Sequence, residues 1–283
     1  MKLTDIVDEL QELPTLPTVV ARINEEMNRE SLTAKSLGTI IAEDTSLTAK
    51  LLKLANSAYY GLVREVDSID RAITVLGLHT VRSLALSISL AKFFKEKTEI
   101  FDLRELWHHS LGTAIAAKNI IFISSPNLAE QAFISGLLHD LGKIALILNN
   151  PNEMAQIIRL MRETEKRQSV LEKEIIGFHH ARVGAALAHR WNFPTAYVNA
   201  IKYHHSPSDL KTDNLDERKL VIAVHIGNKA AKIKQIGSST DPRSDYIETK
   251  YFKLLNIPKE ELPHLFQAIW KDYGTIMEDW DFD

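Results

Sequence analysis

The sequence contains no cysteine among its 283 residues, and this absence removes several kinds of chemistry at once. It excludes disulfide bonds, thiolate metal ligands and cysteine nucleophiles. The chain also lacks an excess of either charge, because 34 basic residues face 37 acidic ones and the formal net charge is −3. A nucleic-acid-binding surface usually shows a clustered positive excess, so we expect no nucleic-acid partner.

Long apolar runs are missing as well. No stretch approaches the roughly 18 uninterrupted apolar residues that a membrane-spanning helix needs. The N-terminus, MKLTDIVDELQELP, is amphipathic and acidic, unlike a signal peptide. The composition, 45% hydrophobic and 25% charged, is ordinary for a globular protein. We therefore expect a cytoplasmic protein without a membrane partner.

Apolar residues recur at helical spacing through most of the chain, and no segment shows the sustained alternation of a strand. Residues 80–94 are rich in leucine and isoleucine, which predicts a helix buried on most sides. Thr45 and Ser46 offer hydroxyls that cap a helix ending near Gly61. These features predict an all-α fold of short helices joined by short connections.

Breaks in the helical pattern are polar and turn-rich, and they fall at residues 62–67, 206–216 and 237–245. Near the C-terminus, Pro258 and Pro263 interrupt the segment 254–270. The ending MEDWDFD is acidic with aromatic residues, which is typical of a flexible tail or of a docking peptide, and we expect terminal disorder.

The 11 histidines are concentrated in the second part of the chain, since His79 is the only one before residue 108. They cluster in the phrases WHHS, HDLGK, FHH, YHH and VHIGN. Histidine is the commonest neutral metal ligand, and carboxylates suit harder ions such as manganese or ferrous iron. Neighbouring residues lie about 100° apart around a helix, so a His-Asp pair can straddle a centre between helices. Isolated histidines are usually ordinary polar residues, and we assign no function to His79, His108, His189 and His264.

The ordered set of phrases resembles a known family. HDLGK, with His109-Ser110 about thirty residues before it, is similar to the HD superfamily of metal-dependent phosphohydrolases. The phrases LPTLPTVV, IIAEDTSLTAKLLKLANSAYYG and SIDRAITVLGLHTVRSLALS, followed by HHARVGAALAHRWNFP and IKYHHSP, resemble HDOD domains, the HD-related output domains of bacterial signalling proteins. The likeness covers about residues 7–235. It implies one module with an N-terminal helical bundle, 1–97, packed against an HD-like helical part with a C-terminal tail, 98–283.

The resemblance also implies a site that binds one or two divalent ions of iron, manganese or zinc. The ligands it implies are His109, His139, Asp140, His180, His204, His205 and Asn228. If the protein is an enzyme, Asp140 bridges two ions and Lys143 contacts a phosphate. The residues alone allow another interpretation equally well, in which Asp140 caps a helix and Lys143 is a solvated lysine.

Two departures weigh against hydrolysis. Asn228 stands where catalytic HD proteins place an aspartate, and a neutral amide oxygen binds cations less tightly than a carboxylate. Ser206-Pro207 follows the paired histidines, where the cyclic-dinucleotide phosphodiesterases carry a GYP signature. We therefore expect a signalling module with little or no hydrolase activity, acting through partner proteins or a small ligand such as a nucleotide. The alternative is a metal-dependent phosphohydrolase.

Aromatic and small residues complete the predictions. Tyr59 and Tyr60 either anchor a partner or pack the junction of the two helical parts. Trp191 and Pro194 are interpreted as a core residue and a helix stop. Small residues at helical spacing predict that another helix approaches closely, namely at Ala181, Gly184, Ala185 and Ala188.

Overall fold

The computed structural model describes residues 15–95, 98–241, 243 and 246–280, and within this part of the chain it contains helices and no strand. Five helices form the front part: α1 (Thr18–Asn28), α2 (Ala34–Ala42), α3 (Thr45–Ala55), α4 (Ile69–Leu76) and α5 (Leu78–Leu90). The remaining helices are α6 (Leu103–Phe122), α7 (Ala129–Leu138), α8 (Leu141–Asn149), α9 (Pro151–Glu163), α10 (Gln168–Ile175), α11 (His180–Arg190), α12 (Thr195–Tyr203), α13 (Leu215–Lys234), α14 (Thr249–Leu254) and α15 (Leu262–Asp279). The predicted all-α fold is confirmed.

The front helices follow the predicted pattern with one correction. Asp44, and not the hydroxyls that follow it, caps α3, because its carboxylate accepts a hydrogen bond from the Leu47 backbone N–H at 2.9 Å. That helix ends at Ala55, earlier than predicted. Helix α5 is buried along most of its length, as its composition indicated, and a 3₁₀ turn at Ala91–Lys95 extends it.

Helix α6 runs through the centre of the rear part, between α7 and α13. Close approach depends on glycine, since a Cβ on Gly136 of α7 would lie 2.7 Å from the Cα of Ala114 on α6. Gly227 of α13 meets the same helix, where a Cβ would lie 2.8 Å from the carbonyl oxygen of Thr113. The two glycines therefore let three helix backbones pack almost in contact, which fixes the residues that α6 and α13 present to the interior.

The predicted small-residue stripe on α11 does face another helix. Gly184 of α11 lies against Gly142 of α8, where a Cβ on Gly142 would be 2.5 Å from the backbone nitrogen of Gly184. Trp191, at the end of α11, is 8% exposed and stacks on Phe93 with ring centroids 5.4 Å apart. Pro194 precedes the first residue of α12, so it separates the two helices.

The tyrosine pair lies where the front and rear parts meet. Tyr59 and Tyr60 are half-buried and contact each other edge to face, with centroids 4.9 Å apart. The ammonium of Lys118, on α6, lies 5.8 Å from the Tyr59 ring centroid. These contacts agree with packing at the junction rather than with an exposed anchor.

Two predictions for the C-terminal region are wrong. Pro263 does not interrupt a helix but stands in the first turn of α15, where its missing N–H costs no hydrogen bond. The ending is helical through Asp279, and Trp280 is 4% exposed with its ring stacked on Trp107. A large aromatic side chain buried in this way anchors the segment to α6. Residues 281–283, like the amphipathic stretch 1–14, lie outside the described residues.

By length and composition, the segment Pro126–Asn149 is apolar enough to cross a membrane, and 89% of the 18-residue window that meets this test is buried inside the fold. It comprises the central helices α7 and α8. Its apolar character is therefore accounted for by its place in the core.

Candidate metal centre

The His139-Asp140 pair lies at a break between two helices. His139 follows the last residue of α7, and Asp140 precedes the first residue of α8. The Asp140 side chain makes no capping hydrogen bond to α8. The interpretation of Asp140 as a helix cap is therefore wrong, and both of its oxygens are available to the interior.

Asp140 stands at the centre of a buried histidine cluster. Its Oδ1 lies 3.4 Å from His180 Nε2 and 3.8 Å from His204 Nε2. Its Oδ2 lies 3.3 Å from His139 Nε2 and 3.7 Å from His109 Nε2. The two carboxylate oxygens thus face two different pairs of imidazoles.

Helices from across the rear part supply these residues. His109 comes from the middle of α6, His180 is the first residue of α11, and His204-His205 follow α12. Potential ligand atoms of Asp140, His180, His204 and His205 all lie within 4.8 Å of one another, and so do those of His109, His139 and Asp140. The structure therefore brings together six of the seven predicted ligands in two groups that share Asp140.

Backbone carbonyl groups on the outer side of the cluster orient two of the imidazoles, His139 and His204. The Nδ1 of His139 is 2.6 Å from the Gly136 carbonyl oxygen, and the Nδ1 of His204 is 2.6 Å from that of Ile201. Each carbonyl can only accept, so Nδ1 carries the proton and Nε2 presents a lone pair to the interior. This arrangement is typical of metal-binding histidines.

Glu172 orients His180 in the same way, and sequence reasoning missed it. Its Oε2 lies 2.6 Å from His180 Nδ1 and accepts the His180 backbone N–H at 2.9 Å. Gln168 donates to the other carboxylate oxygen at 2.9 Å. Both residues belong to α10, and charged residues such as those of α10 are typical of a solvated surface helix. The sequence therefore carried no signal that Glu172 and Gln168 orient His180.

Several polar atoms of the cluster are buried without a hydrogen-bond partner. They are His139 Nε2, His204 Nε2 and Asp140 Oδ1, and each belongs to a residue with no exposed surface. Leaving buried acceptors unpaired is costly, and native structures rarely do so unless an ion or water satisfies them. Nitrogen ligands about 2.05 Å from one ion lie about 2.9–3.4 Å apart at angles of 90–109°. The 2.8 Å between His180 Nε2 and His205 Nε2 is close to that range.

The electrostatics also favour a cation. Burial lowers the pKa of His109, His204 and His205 well below the usual value, so these imidazoles are neutral at pH 7 and can act as ligands. Burial alone would raise the pKa of Asp140, but its interactions with His139 and with the Lys143 ammonium hold it well below its usual value. A buried carboxylate surrounded by neutral imidazoles fits a divalent metal ion.

Asn228 lies beside the His109 half of the cluster. Its Oδ1 is 3.2 Å from His109 Nε2, and the residue is 4% exposed. Three residues earlier on α13, His225 Nδ1 lies 2.7 Å from the His204 carbonyl oxygen and so donates to it. His225 therefore fixes the backbone that carries the histidine pair, a role that the VHIGN phrase did not indicate.

Lys143 is not a solvated lysine, and that interpretation is wrong. The residue is 1% exposed, and its ammonium donates to Asp140 Oδ2 at 2.8 Å and to the Ser239 carbonyl oxygen at 2.5 Å. An ammonium in this position neutralises the carboxylate on the side of His109 and His139. Its predicted contact with a phosphate stays a prediction.

The polar segment that follows α13 covers the half of the site that contains His109 and His139. Gly237 packs against α6, where a Cβ would lie 2.6 Å from the His109 backbone nitrogen. Thr240 has φ of 64°, a backbone conformation that costs a β-branched residue energy, and its hydroxyl donates to Gln168 at 2.7 Å. The segment predicted as a polar break is therefore part of the site's wall, connected through Gln168 and Glu172 to His180.

Comparison with known proteins agrees with this geometry. The family model for the HDOD domain matches residues 13–207. A protein of Treponema pallidum whose function is not described is 27% identical over 202 residues, which cover 71% of this chain and 39% of that protein. The chain thus spans less than half the length of that curated relative.

Two solved structures are similar over almost the whole chain. An HDOD domain protein of unknown function from Geobacter sulfurreducens has a TM-score of 0.84 and 24% identity, with 98% of this chain and 97% of that chain covered. A Shewanella amazonensis protein named as a "putative phosphohydrolase" has a TM-score of 0.75 and 28% identity, with 97% and 96% covered. The first comparison concerns the fold alone.

Proposed function

The chain belongs to the HDOD domain family, and we propose that it is a regulatory module of bacterial signalling whose buried histidine cluster binds one divalent metal ion. The observation that carries the proposal is the convergence of unpaired acceptors on His139, His204 and Asp140. The ligand set is rich in imidazole and contains one carboxylate, which suits iron, manganese or zinc. When bound, such an ion lowers the pKa of water and stabilises negative charge on a phosphoryl oxygen.

One ion is proposed because the two halves of the cluster differ. On one side, His180, His204 and His205 surround Asp140 Oδ1, which has no hydrogen-bond partner. On the other side, the Lys143 ammonium already neutralises Oδ2. A second cation there would have to displace the ammonium or lie beside it, and like charges in a buried site repel strongly.

The residues beside His109 favour a regulatory function of the site over a hydrolytic one. Asn228 supplies a neutral amide where a carboxylate would hold a second ion, and Lys143 ties Asp140 to the covering segment at Ser239. A bound ion would then stabilise one arrangement of the helix ends rather than an open reaction site. We propose that partner proteins or a small ligand in the cytoplasm respond to that arrangement.

A metal-dependent phosphohydrolase is the second candidate. The observation in its favour is that the two oxygens of Asp140 face separate histidine pairs, the arrangement expected of a carboxylate that bridges two ions. The Shewanella relative's name agrees with this alternative.

The test is metal content by elemental analysis on protein purified without chelator, for wild type, His180→Ala and His189→Ala. His189 is the matched control because it lies on the same helix with its side chain exposed. We expect about one ion per chain in wild type and His189→Ala, and none in His180→Ala, with all three folded by circular dichroism. Metal-free wild-type protein would refute the proposal.

A phosphodiesterase assay on the metal-loaded protein separates the two candidates. The regulatory proposal predicts no turnover of bis(p-nitrophenyl) phosphate above the His180→Ala background. Turnover that is lost in His180→Ala, together with about two ions per chain, would establish the hydrolase instead.

A further inference from the structure

A second concave site lies away from the histidine cluster, where the front bundle meets the C-terminal helix. It is a cavity of about 270 Å³ between α3, the end of α5 with its 3₁₀ turn, and Trp280. None of the candidate metal ligands lines it. Any ligand of this cavity is therefore distinct from a ligand of the metal centre.

The cavity is strongly cationic in a chain whose net charge is −3. Four lysines line it, and their side chains are exposed: Lys50, Lys53, Lys92 and Lys95. In the part of the chain that the structure describes, none of these lysines makes an ion pair. Among the described residues that line the cavity, the acidic one is Asp44, which accepts the hydrogen bond that caps α3. The described lining thus carries four lysines and one aspartate, which favours an anion with more than one charge.

The floor of the cavity is apolar. Leu54, Ile88 and Ala91 are buried there, and Trp280 closes one side. The first turn of α3 also lines the cavity, at Ser46 and Leu47, and the positive end of that helix dipole favours negative charge nearby. A simple inorganic anion would use the lysines and leave the apolar floor uncovered.

We propose that this cavity binds a small organic phosphate with a flat ring, of the nucleotide type. The lysines and the α3 terminus would contact the phosphates, and the ring would cover Leu54, Ile88 and the edge of Trp280. A concave site with an apolar floor and few charged groups at the rim is typical of small-molecule sites. Its volume of about 270 Å³ lies just below the lower end of the range for small-molecule sites, about 300 Å³.

The test is calorimetric titration of the full chain in EDTA, so that its outcome does not depend on the metal centre. The probes are ADP, adenosine, pyrophosphate and an acidic hexapeptide. The variants are Lys50→Glu with Lys92→Glu, Ser46→Trp to fill the cavity without changing charge, and a control of Lys211→Glu with Lys259→Glu. The control changes net charge equally at exposed lysines outside the cavity.

We expect ADP to bind more tightly than either adenosine or pyrophosphate, with affinity that falls as salt rises. The cavity double variant should weaken ADP binding about tenfold or more, Ser46→Trp should weaken it as well, and the control should bind as wild type does. The proposal is overturned if ADP does not bind at millimolar concentration, if pyrophosphate binds as tightly as ADP, or if the control loses as much affinity. Tighter binding of an acidic hexapeptide than of ADP would also overturn it, in favour of a protein partner.

Discussion

Replacing Gly142 by alanine is expected to disrupt both the fold and the metal centre, although the residue is no ligand. Gly142 lies in the first turn of α8, two residues after Asp140, and α11 passes against it. An added Cβ would lie 2.5 Å from the Gly184 backbone nitrogen and still closer to the His180 carbonyl oxygen. Both atoms belong to the backbone, so neither can turn aside as a side chain would.

The size of the effect follows from these contacts. Real Cβ atoms essentially never approach another heavy atom within 3.0 Å, so the contact with Gly184 alone requires α8 and α11 to separate by 0.5 Å, and the closer contact with His180 requires more. Overpacking of this kind costs about 1–3 kcal/mol, and we expect about 3 because backbone has to move. Metal sites need ligands held within about 0.5 Å, and His180 would move with α11 relative to Asp140, so bound metal should be lost as well.

Urea unfolding followed by circular dichroism measures the first effect, and elemental analysis measures the second. The control is Gly274→Ala, because a Cβ on Gly274 meets nothing within 4 Å and the residue lies inside α15. There alanine should stabilise the protein by about 0.5–1 kcal/mol through its higher helix propensity. A Gly142→Ala protein with the wild-type urea midpoint and full metal content would refute the argument from close packing.

Three further outcomes are expected. Asn228→Asp should tighten metal binding, because it places a carboxylate beside His109, and calorimetric titration with the metal would show whether affinity rises; unchanged affinity would contradict the assignment of this position. Glu172→Gln should weaken metal binding about 10- to 100-fold while the fold persists, since the outer partner of a ligating histidine tunes affinity to this extent; an unchanged dissociation constant would count against the role of Glu172. The stability of the metal-free protein should fall as the pH drops from 7 to 5. In the unfolded chain the histidines take up protons near pH 6.5, whereas burial depresses the pKa of His109, His204 and His205 in the folded protein, so protons bind preferentially to the unfolded state. Equal urea midpoints at pH 7 and pH 5 would contradict the neutral state of these three histidines.

The helical fold could be predicted from the sequence because periodicity and capping residues act locally. Ser68 and Gly77 lie at the two ends of α4, and a glycine with φ of 89° ends a helix where other residues would be strained. The buried Trp280 could not be predicted, because an acidic ending with aromatic residues is equally typical of a flexible tail. Its burial depends on Trp107, which lies far away in the sequence.

The candidate ligands could be identified because the family resemblance places them in order along the chain, and the structure brings them together. Their role as ligands stays a prediction. The supporting residues had no such signal. Glu172 and Thr240 act through contacts with residues far from them in the sequence, and charged or hydroxyl side chains in such segments are usually solvated. Lys143 was misjudged as solvated for the same reason, since its burial depends on the segment after α13.

Most of the candidate ligands occupy helix ends, and this explains how adjacent residues can serve one centre. Within a continuous helix, His139 and Asp140 would point about 100° apart. At the break between α7 and α8 the backbone departs from helical geometry, with φ of −102° and ψ of 9° at Asp140, and the two side chains converge to 3.3 Å. After α12, the side chains of His204 and His205 also lie close together, with ring centroids 4.0 Å apart. The spacing of the ligands is therefore set by how the helices pack. A substitution such as Gly142→Ala can abolish metal binding even though it leaves every ligand residue in the sequence.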